Sequence, residues 1–275
     1  MAIVLSLVSA LAYGVSDFLG GIFSKRISPW QVAVVGQTSS GVLSILAALV
    51  VGGSPTAHDL LVGSLAGLGG GFGAAFLYRG LSTARMGVVA PLSAIGTALI
   101  PVAVGVVTGD RPSTTVVVGI VLAFPAIALI SRVADDDPSH RGGVLDGVLA
   151  GGGFGLLFVF LGQIGDDAGL MPLAFSQITS IASVVVTATV LRQAWLPRTR
   201  AAWSAVVMGP LGATAQGAFI YASQHGLLSV VSVISSLYPA STVVLAAVVL
   251  REKILRWQAV GLLAAAAAVA LVAAG

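Results

Sequence analysis

Ten apolar runs, each about as long as a bilayer is thick, follow one another along this chain with almost nothing between them. They fall approximately at 2–24, 30–52, 59–82, 86–108, 113–131, 143–163, 170–191, 202–224, 227–250 and 255–274. A helix needs about 20 mostly apolar residues, rising about 1.5 Å each, to cross roughly 30 Å of hydrocarbon. The runs are too long and too uniformly apolar for outer-membrane strands, which alternate polar and apolar positions. The pattern predicts an all-α integral membrane protein of ten transmembrane helices, with no room for a soluble domain. Lys25 and Arg26 follow the first run instead of preceding it, so that run reads as a span and not as a cleaved signal.

Composition narrows the chemistry. Hydrophobic residues make up 57% of the chain and charged ones 8%, and there is no cysteine to form a disulfide or a thiolate metal site. His58, His140 and His225 lie far apart in sequence, and neither a metal centre nor a catalytic triad is suggested. No cofactor is expected. The net charge of +3 comes from Lys and Arg scattered through short loops, which reports orientation in the membrane and not contact with nucleic acid. Lys25, Arg26, Arg85, Arg132, Arg141, Arg192, Arg198, Arg200, Arg251, Lys253 and Arg256 follow odd-numbered runs. Arg111 alone follows an even-numbered one, so the positive-inside rule puts both termini outside.

The chain divides near its middle. Asp135, Asp136, Asp137 and Pro138 form a helix-hostile acidic linker at 135–140, between a first unit at 1–134 and a second at 141–275. A shift of about 140 residues sets Gln37 on Gln177 and Ser40 on Ser180; one of 143 sets Phe76 on Phe219, Tyr78 on Tyr221 and Ser93 on Ser236. Asp110 and Glu252 correspond in the same way. Five spans per half is an odd number, so the second half is expected upside down relative to the first, as two inverted five-helix repeats.

Three stretches carry a family resemblance: Ser9-Ala-Leu-Ala-Tyr-Gly-Val-Ser-Asp-Phe18, Gly87-Val-Val-Ala-Pro-Leu-Ser93 running to Gly109-Asp-Arg-Pro112, and Ser235-Ser-Leu-Tyr-Pro239 running to Arg251-Glu-Lys253 and Gly261. On these the chain resembles, over essentially its whole length, the EamA-type ten-span members of the drug/metabolite transporter superfamily. The resemblance implies secondary transport by alternating access, and both termini in the cytoplasm, opposite to the charge count. Tyr13 stands where the family more often has Trp, Asp110 replaces Glu in the first half, and Arg251 replaces Gly in the second.

Asp17 is the residue on which function turns. A carboxylate inside a span costs roughly 2.5–3.5 kcal/mol on insertion scales and marks a functional site by default. Ser6, Ser9, Tyr13, Ser16, Asp17, Gly20 and Ser24 recur at three- or four-residue spacing, so they share one helical face. Two readings stand for Asp17: a buried aspartate bonded to a neighbouring helix, with Arg79 as its partner, or a carboxylate in the transport path that holds a proton or a cation. Its repeat counterpart is Leu157, and an architectural need would recur in both halves, which favours the second reading.

Gln37 and Gln177 read either as glue between helices or as amides facing a polar solute. Arg79 reads as a snorkelling side chain or as a receptor for an anionic substrate group. Tyr78 and Tyr221, near span ends, read as members of the interfacial aromatic belt. Ser93, Ser235, Ser236, Tyr238 and Ser241 lie beside Pro91 and Pro239, where freed carbonyls need partners; lining a site is their second reading. Gly67-Leu-Gly-Gly-Gly-Phe-Gly73 looks like a phosphate loop but lies inside a span, where small residues serve close helix packing.

The expectation is a bacterial inner-membrane secondary transporter, in the export direction, for a small polar metabolite such as an amino acid. Asp17 would couple flux to protons, with Tyr13, Gln37, Gln177, Tyr238, Ser93 and Ser235 shaping the cavity and Arg79 reading an anionic group. A multidrug exporter of lipophilic cations is the rival of the same fold, and would want Asp17 in an aromatic cage. The partners expected are the substrate, protons and the lipid bilayer.

Overall fold

The computed structural model describes residues 1–83, 86–130, 143–249, 251 and 254–274. The acidic linker expected at 135–140, and Glu252 of the repeat echo, lie outside the described residues. Helices account for every apolar run: α1 Ala2–Ser24, α2 Pro29–Val51, α3 Ala57–Thr83, α4 Met86–Thr108, α5 Thr114–Ile130, α6 Val144–Leu161, α7 Met171–Val190, α8 Met208–Ser223, α9 Leu228–Ser235, α10 Tyr238–Val249 and α11 Arg256–Ala274. There is no strand among the described residues. Among the described residues, eight helical segments have the length and apolarity to cross a membrane; Leu92–Thr108 and Thr114–Ile130 are apolar but shorter.

Two runs differ from simple spans. The eighth begins as a 3-10 helix, Arg200–Val207, and passes into α8 at Met208. The ninth is broken into α9 and α10, because Pro239 has no N–H to donate to the carbonyl of Ser235 and its ring crowds the preceding turn. The chain turns through Ser236 and Leu237 instead, with Leu237 N–H donating to Ile234 O at 3.1 Å.

Local signals set the other boundaries. Pro29 opens α2, where a missing N–H costs nothing. Gly52 and Gly53 close it with φ of +71° and +128°, conformations that favour glycine. A side chain on Gly53 would also sit 2.7 Å from the carbonyl oxygen of Ala168, so this turn packs directly on the loop before α7.

The extensive helix pairings all join one half of the chain to the other. α3 packs on α6 and α7, and α8, third in its own half, packs on α1 and α2. α4 packs on α6, as α9 and α10 pack on α1; α2 pairs with α7 and α5 with α11. Glycine makes this approach possible. Gly63, Gly67 and Gly71, four residues apart on α3, meet Pro172, Ser176 and Ser180, four apart on α7, and a Cβ on Gly67 would stand 1.9 Å from the Ser176 carbonyl oxygen. The glycine run of α3 is therefore a helix-packing surface.

Polarity is inverted relative to a water-soluble bundle. Ser6, Ser9, Ser40, Ser44, Ser180 and Ser232 are buried, while Val50, Val107, Val190 and Leu263 are exposed on the outside. That distribution suits a hydrocarbon surround, and the protein is a multi-pass membrane protein. Its two ends differ. At one, Lys25, Arg26, Arg192, Arg198 and Arg200 flank helices α1, α2, α7 and α8, and Ser28 and Gln31 donate to the carbonyls of Ala194 and Leu196. At the other, near both termini, Asp59 accepts from Gly165 N–H at 2.8 Å and Asp110 accepts from Ser229 N–H at 2.9 Å. We call these the cationic end and the terminal end.

Candidate functional site

The polar stripe of α1 points inward. Ser6, Ser9, Ser16, Gly20 and Ser24 are buried, Tyr13 and Asp17 are half-buried, and Val4, Leu7 and Leu11 on the opposite face are exposed. Asp17 opens into a small cavity of about 50 Å³ between α1, α2, α3, α6 and α8, whose polar lining includes Tyr13, Gln37, Ser40, Tyr78 and Gln216. A second space of about 20 Å³ adjoins it past Tyr13 and Asp17, bounded by Thr97, Phe154, Phe158 and Tyr238. Asp17 stands where the two meet.

Asp17 has no hydrogen-bond or ion-pair partner among the described residues. Three of the chain's four tyrosines, Tyr13, Tyr78 and Tyr238, lie close enough to feel its charge. The rings of Tyr13 and Tyr238 are 6.5 Å apart, Tyr13 lies 5.9 Å from Phe158, and Phe158 stacks on Phe219 at 4.0 Å. The Tyr238 hydroxyl donates to Ser93 Oγ at 3.1 Å, which aims its ring across the space towards α4. Across the cavity the wall is amide and hydroxyl: Gln37 is half-buried, and Gln216 Oε1 and Ser40 Oγ are buried without partners. Among the described residues, no Lys or Arg lines either space.

The sequence-derived candidates separate into three groups. Asp17, Tyr13, Gln37 and Tyr238 come together at the cavity, and Ser93 supports Tyr238 from behind. Gln177 and Ser235 are fully buried, with unpartnered side-chain polar atoms, but neither lines the cavity. Gln177 packs instead against Gly41 of α2. Arg79 is elsewhere. Its Nε donates to Asp146 at 2.9 Å, Nη2 donates to the same oxygen, and the guanidinium lies 4.4 Å over the Phe76 ring. Arg79 thus pairs with Asp146 and not with Asp17, and its donors face a protein carboxylate where an anionic substrate group was expected.

Tyr78 needs correction. It is 7% exposed and faces inward, where an interfacial belt position was expected. α3 continues past it to Thr83, which carries Tyr78 more than a turn below the helix end. The signal was in α1: a side chain on Gly20 would stand 2.5 Å from the Tyr78 ring, so Gly20, three residues after Asp17, makes the room that ring occupies.

A solved crystal structure superposes on 98% of this chain and 95% of its own with a TM-score of 0.75, at 17% sequence identity, a likeness of fold alone. No curated protein matches the sequence. A family model described as the EamA-like transporter family matches twice, over residues 1–132 and 141–274. The double match covers both halves, and the chain belongs to the EamA-like transporter family.

Proposed function

We propose that this protein is a secondary active exporter of small polar metabolites that carry an ammonium group, amines and amino acids among them, working in exchange for protons. The observation that carries this reading is the unpaired Asp17 carboxyl, open to a cavity whose other polar groups are neutral hydroxyls and amides. A lone carboxylate ringed by tyrosines receives either a substrate ammonium or a proton, and occupancy by one excludes the other. Mutual exclusion at one site is what makes exchange obligatory, and an inward proton gradient then drives the cation out. Gln37, Gln216 and Ser40 supply donors and acceptors for the rest of the solute, an amino-acid carboxylate included.

Alternating access rests on the pairing pattern: each half's third helix packs on the first two of the other, as two inverted repeats rocking about a shared axis require. A bacterial inner membrane supplies the proton gradient. The aromatic walls, Tyr13, Tyr78, Tyr238, Phe154 and Phe158, favour a second reading, export of lipophilic cations held by cation–π contact.

Uptake into proteoliposomes under an imposed pH gradient tests both. The panel compares amino acids, primary amines, sugars and tetraphenylphosphonium, with Asp17→Asn beside the wild type. Gradient-driven flux of amines or amino acids that the variant loses supports the first reading, and flux confined to tetraphenylphosphonium supports the second. Sugar flux that survives the substitution would sink both.

A further inference from the structure

α9 carries a second set of buried hydroxyls that the cavity does not use. Ser229, Ser232 and Ser235 are each 0% exposed, and each hydroxyl lacks a hydrogen-bond partner. Ser9 on the neighbouring α1 is in the same condition. A serine in a helix readily donates to its own carbonyl four residues back, and nearby hydroxyls do so: Ser236 to Ser232 O, Ser6 to Ala2 O and Thr97 to Ser93 O. The four unpartnered serines have not taken that option. Buried polar groups without protein partners are the usual seats of ordered water, each water making about three hydrogen bonds.

Their placement is directional. Ser229 lies at the terminal end, its N–H held by Asp110 and its backbone beside Gly105 of α4. Nine residues on, Tyr238 meets Ser93 of α4 and shares the inner space with Asp17 and Thr97. α9 therefore runs antiparallel to α4, from the half-buried Asp110 to the space around Asp17. Ser229, Ser232 and Ser235 follow at steps of three, each about 4.5 Å along the axis, and Tyr238 comes three residues later, past the turn that ends α9. Two hydroxyls bridged by one water stand about 5.5 Å apart, so single waters span such steps. α1 flanks the same path. Ala2 abuts Gly226, and Ser241 donates to Ala10 O at 3.4 Å, so α1 runs alongside α9 and α10, with Ser9 one turn before Tyr13.

We propose that the seam between α1, α4 and α9 is a hydrated proton path from the terminal end to Asp17. The proposal rests on the reading of Asp17 as a proton-exchanging carboxylate and adds how the proton arrives. Each water or hydroxyl accepts a proton on a lone pair and releases another on its far side. The last transfer turns the Asp17 carboxylate into the neutral acid, and nothing is consumed. The groups facing Asp17 are the phenols of Tyr13, Tyr78 and Tyr238; at the mouth stand Asp110, Arg111 and the exposed His225. Protons thereby reach Asp17 without opening the wider substrate route.

Time-resolved infrared spectroscopy of the full-length protein in liposomes, after a pH jump and with no substrate present, reads this directly. The protonated-carboxyl band that Asp17→Asn removes belongs to Asp17. In Ser232→Ala/Ser235→Ala that band is expected to grow in about tenfold more slowly, the rate equivalent of about 1.4 kcal/mol of added barrier. Its midpoint pH should stay unchanged, and Ser235→Thr, which keeps a hydroxyl, should retain the wild-type rate. Unchanged kinetics in the double variant would overturn the path while leaving Asp17 as the coupling group. A wild-type band that never titrates would overturn the coupling reading and the path with it.

Discussion

Asp17 and Asp146 lie on corresponding helices, α1 and α6, the first of each half, and have opposite fates. Asp17 sits two-thirds of the way along α1, away from either helix end, with no bonded partner and a cavity in front of it. Asp146 sits in the first turn of α6, where the helix dipole favours a negative charge, and both Arg79 donors reach it. Arg79 in turn lies four residues before the end of α3 and rests on Phe76. The cost of burying Asp146 is offset by the helix dipole and by Arg79. Nothing among the described residues pairs with Asp17, so on the proposed reading its compensation comes from what enters the cavity.

The comparison is sharpest where stability and flux part company. Asp17→Asn is expected to reduce gradient-driven flux about a hundredfold or more, the scale on which a positioned proton-transfer group matters. It should leave the melting temperature unchanged or raised, since an unpaired carboxylate is removed from a buried site. A fall in melting temperature that accounts for the lost flux would make Asp17 architectural. Arg79→Met reverses the pattern. Asp146, 5% exposed, loses its counter-ion, and the loss of stability is expected to be about 2–4 kcal/mol by thermal denaturation in detergent. Flux per folded molecule should stay close to wild type. Asp146→Asn costs less, about 1 kcal/mol, because the Arg79 side chain is 30% exposed and keeps its contact with Phe76. If Asp146→Asn proves the more damaging of the two, the assignment of Asp146 as the more deeply committed partner is wrong.

The spans were legible because apolar length is the strongest signal a membrane chain carries, and a repeat could be read from polar residues stranded in them. What escaped were features set by neighbours across the halves. Gln37 and Gln177 correspond in sequence, yet only Gln37 reaches the cavity, which lies towards α1 and α8 and uses the two halves unequally. The same asymmetry puts Asp17 and its counterpart Leu157 on one cavity wall in different roles. Arg79 and Asp146 are 67 residues apart, and no local pattern pairs them. Tyr78 looked interfacial because it lies near a span end, and whether such a ring turns outward or inward is set by its neighbours, here the room that Gly20 of α1 leaves. Pro239 stood in plain view, but a proline marks where a helix is weakened and not whether the chain will turn there; that depended on buried neighbours around Leu237.

The smallest effect is the most telling about the pair. Arg79→Gln/Asp146→Asn replaces two charges with two amides of matching reach, so a hydrogen bond across α3 and α6 survives while neither partner is left as a lone buried charge. Asparagine is required at 146 because the site is tight: a side chain on Gly80 would stand 2.9 Å from Asp146 Cβ, and Val89 closes the other side. The double variant is expected to lie within about 1 kcal/mol of wild type, well above the sum of its single losses, because exchanging a buried ion pair for a neutral pair is often close to free while breaking it is not. Thermal denaturation of the full cycle measures that coupling. Additive losses would mean that Arg79 and Asp146 act independently, and the contrast with Asp17 would then reduce to helix position alone.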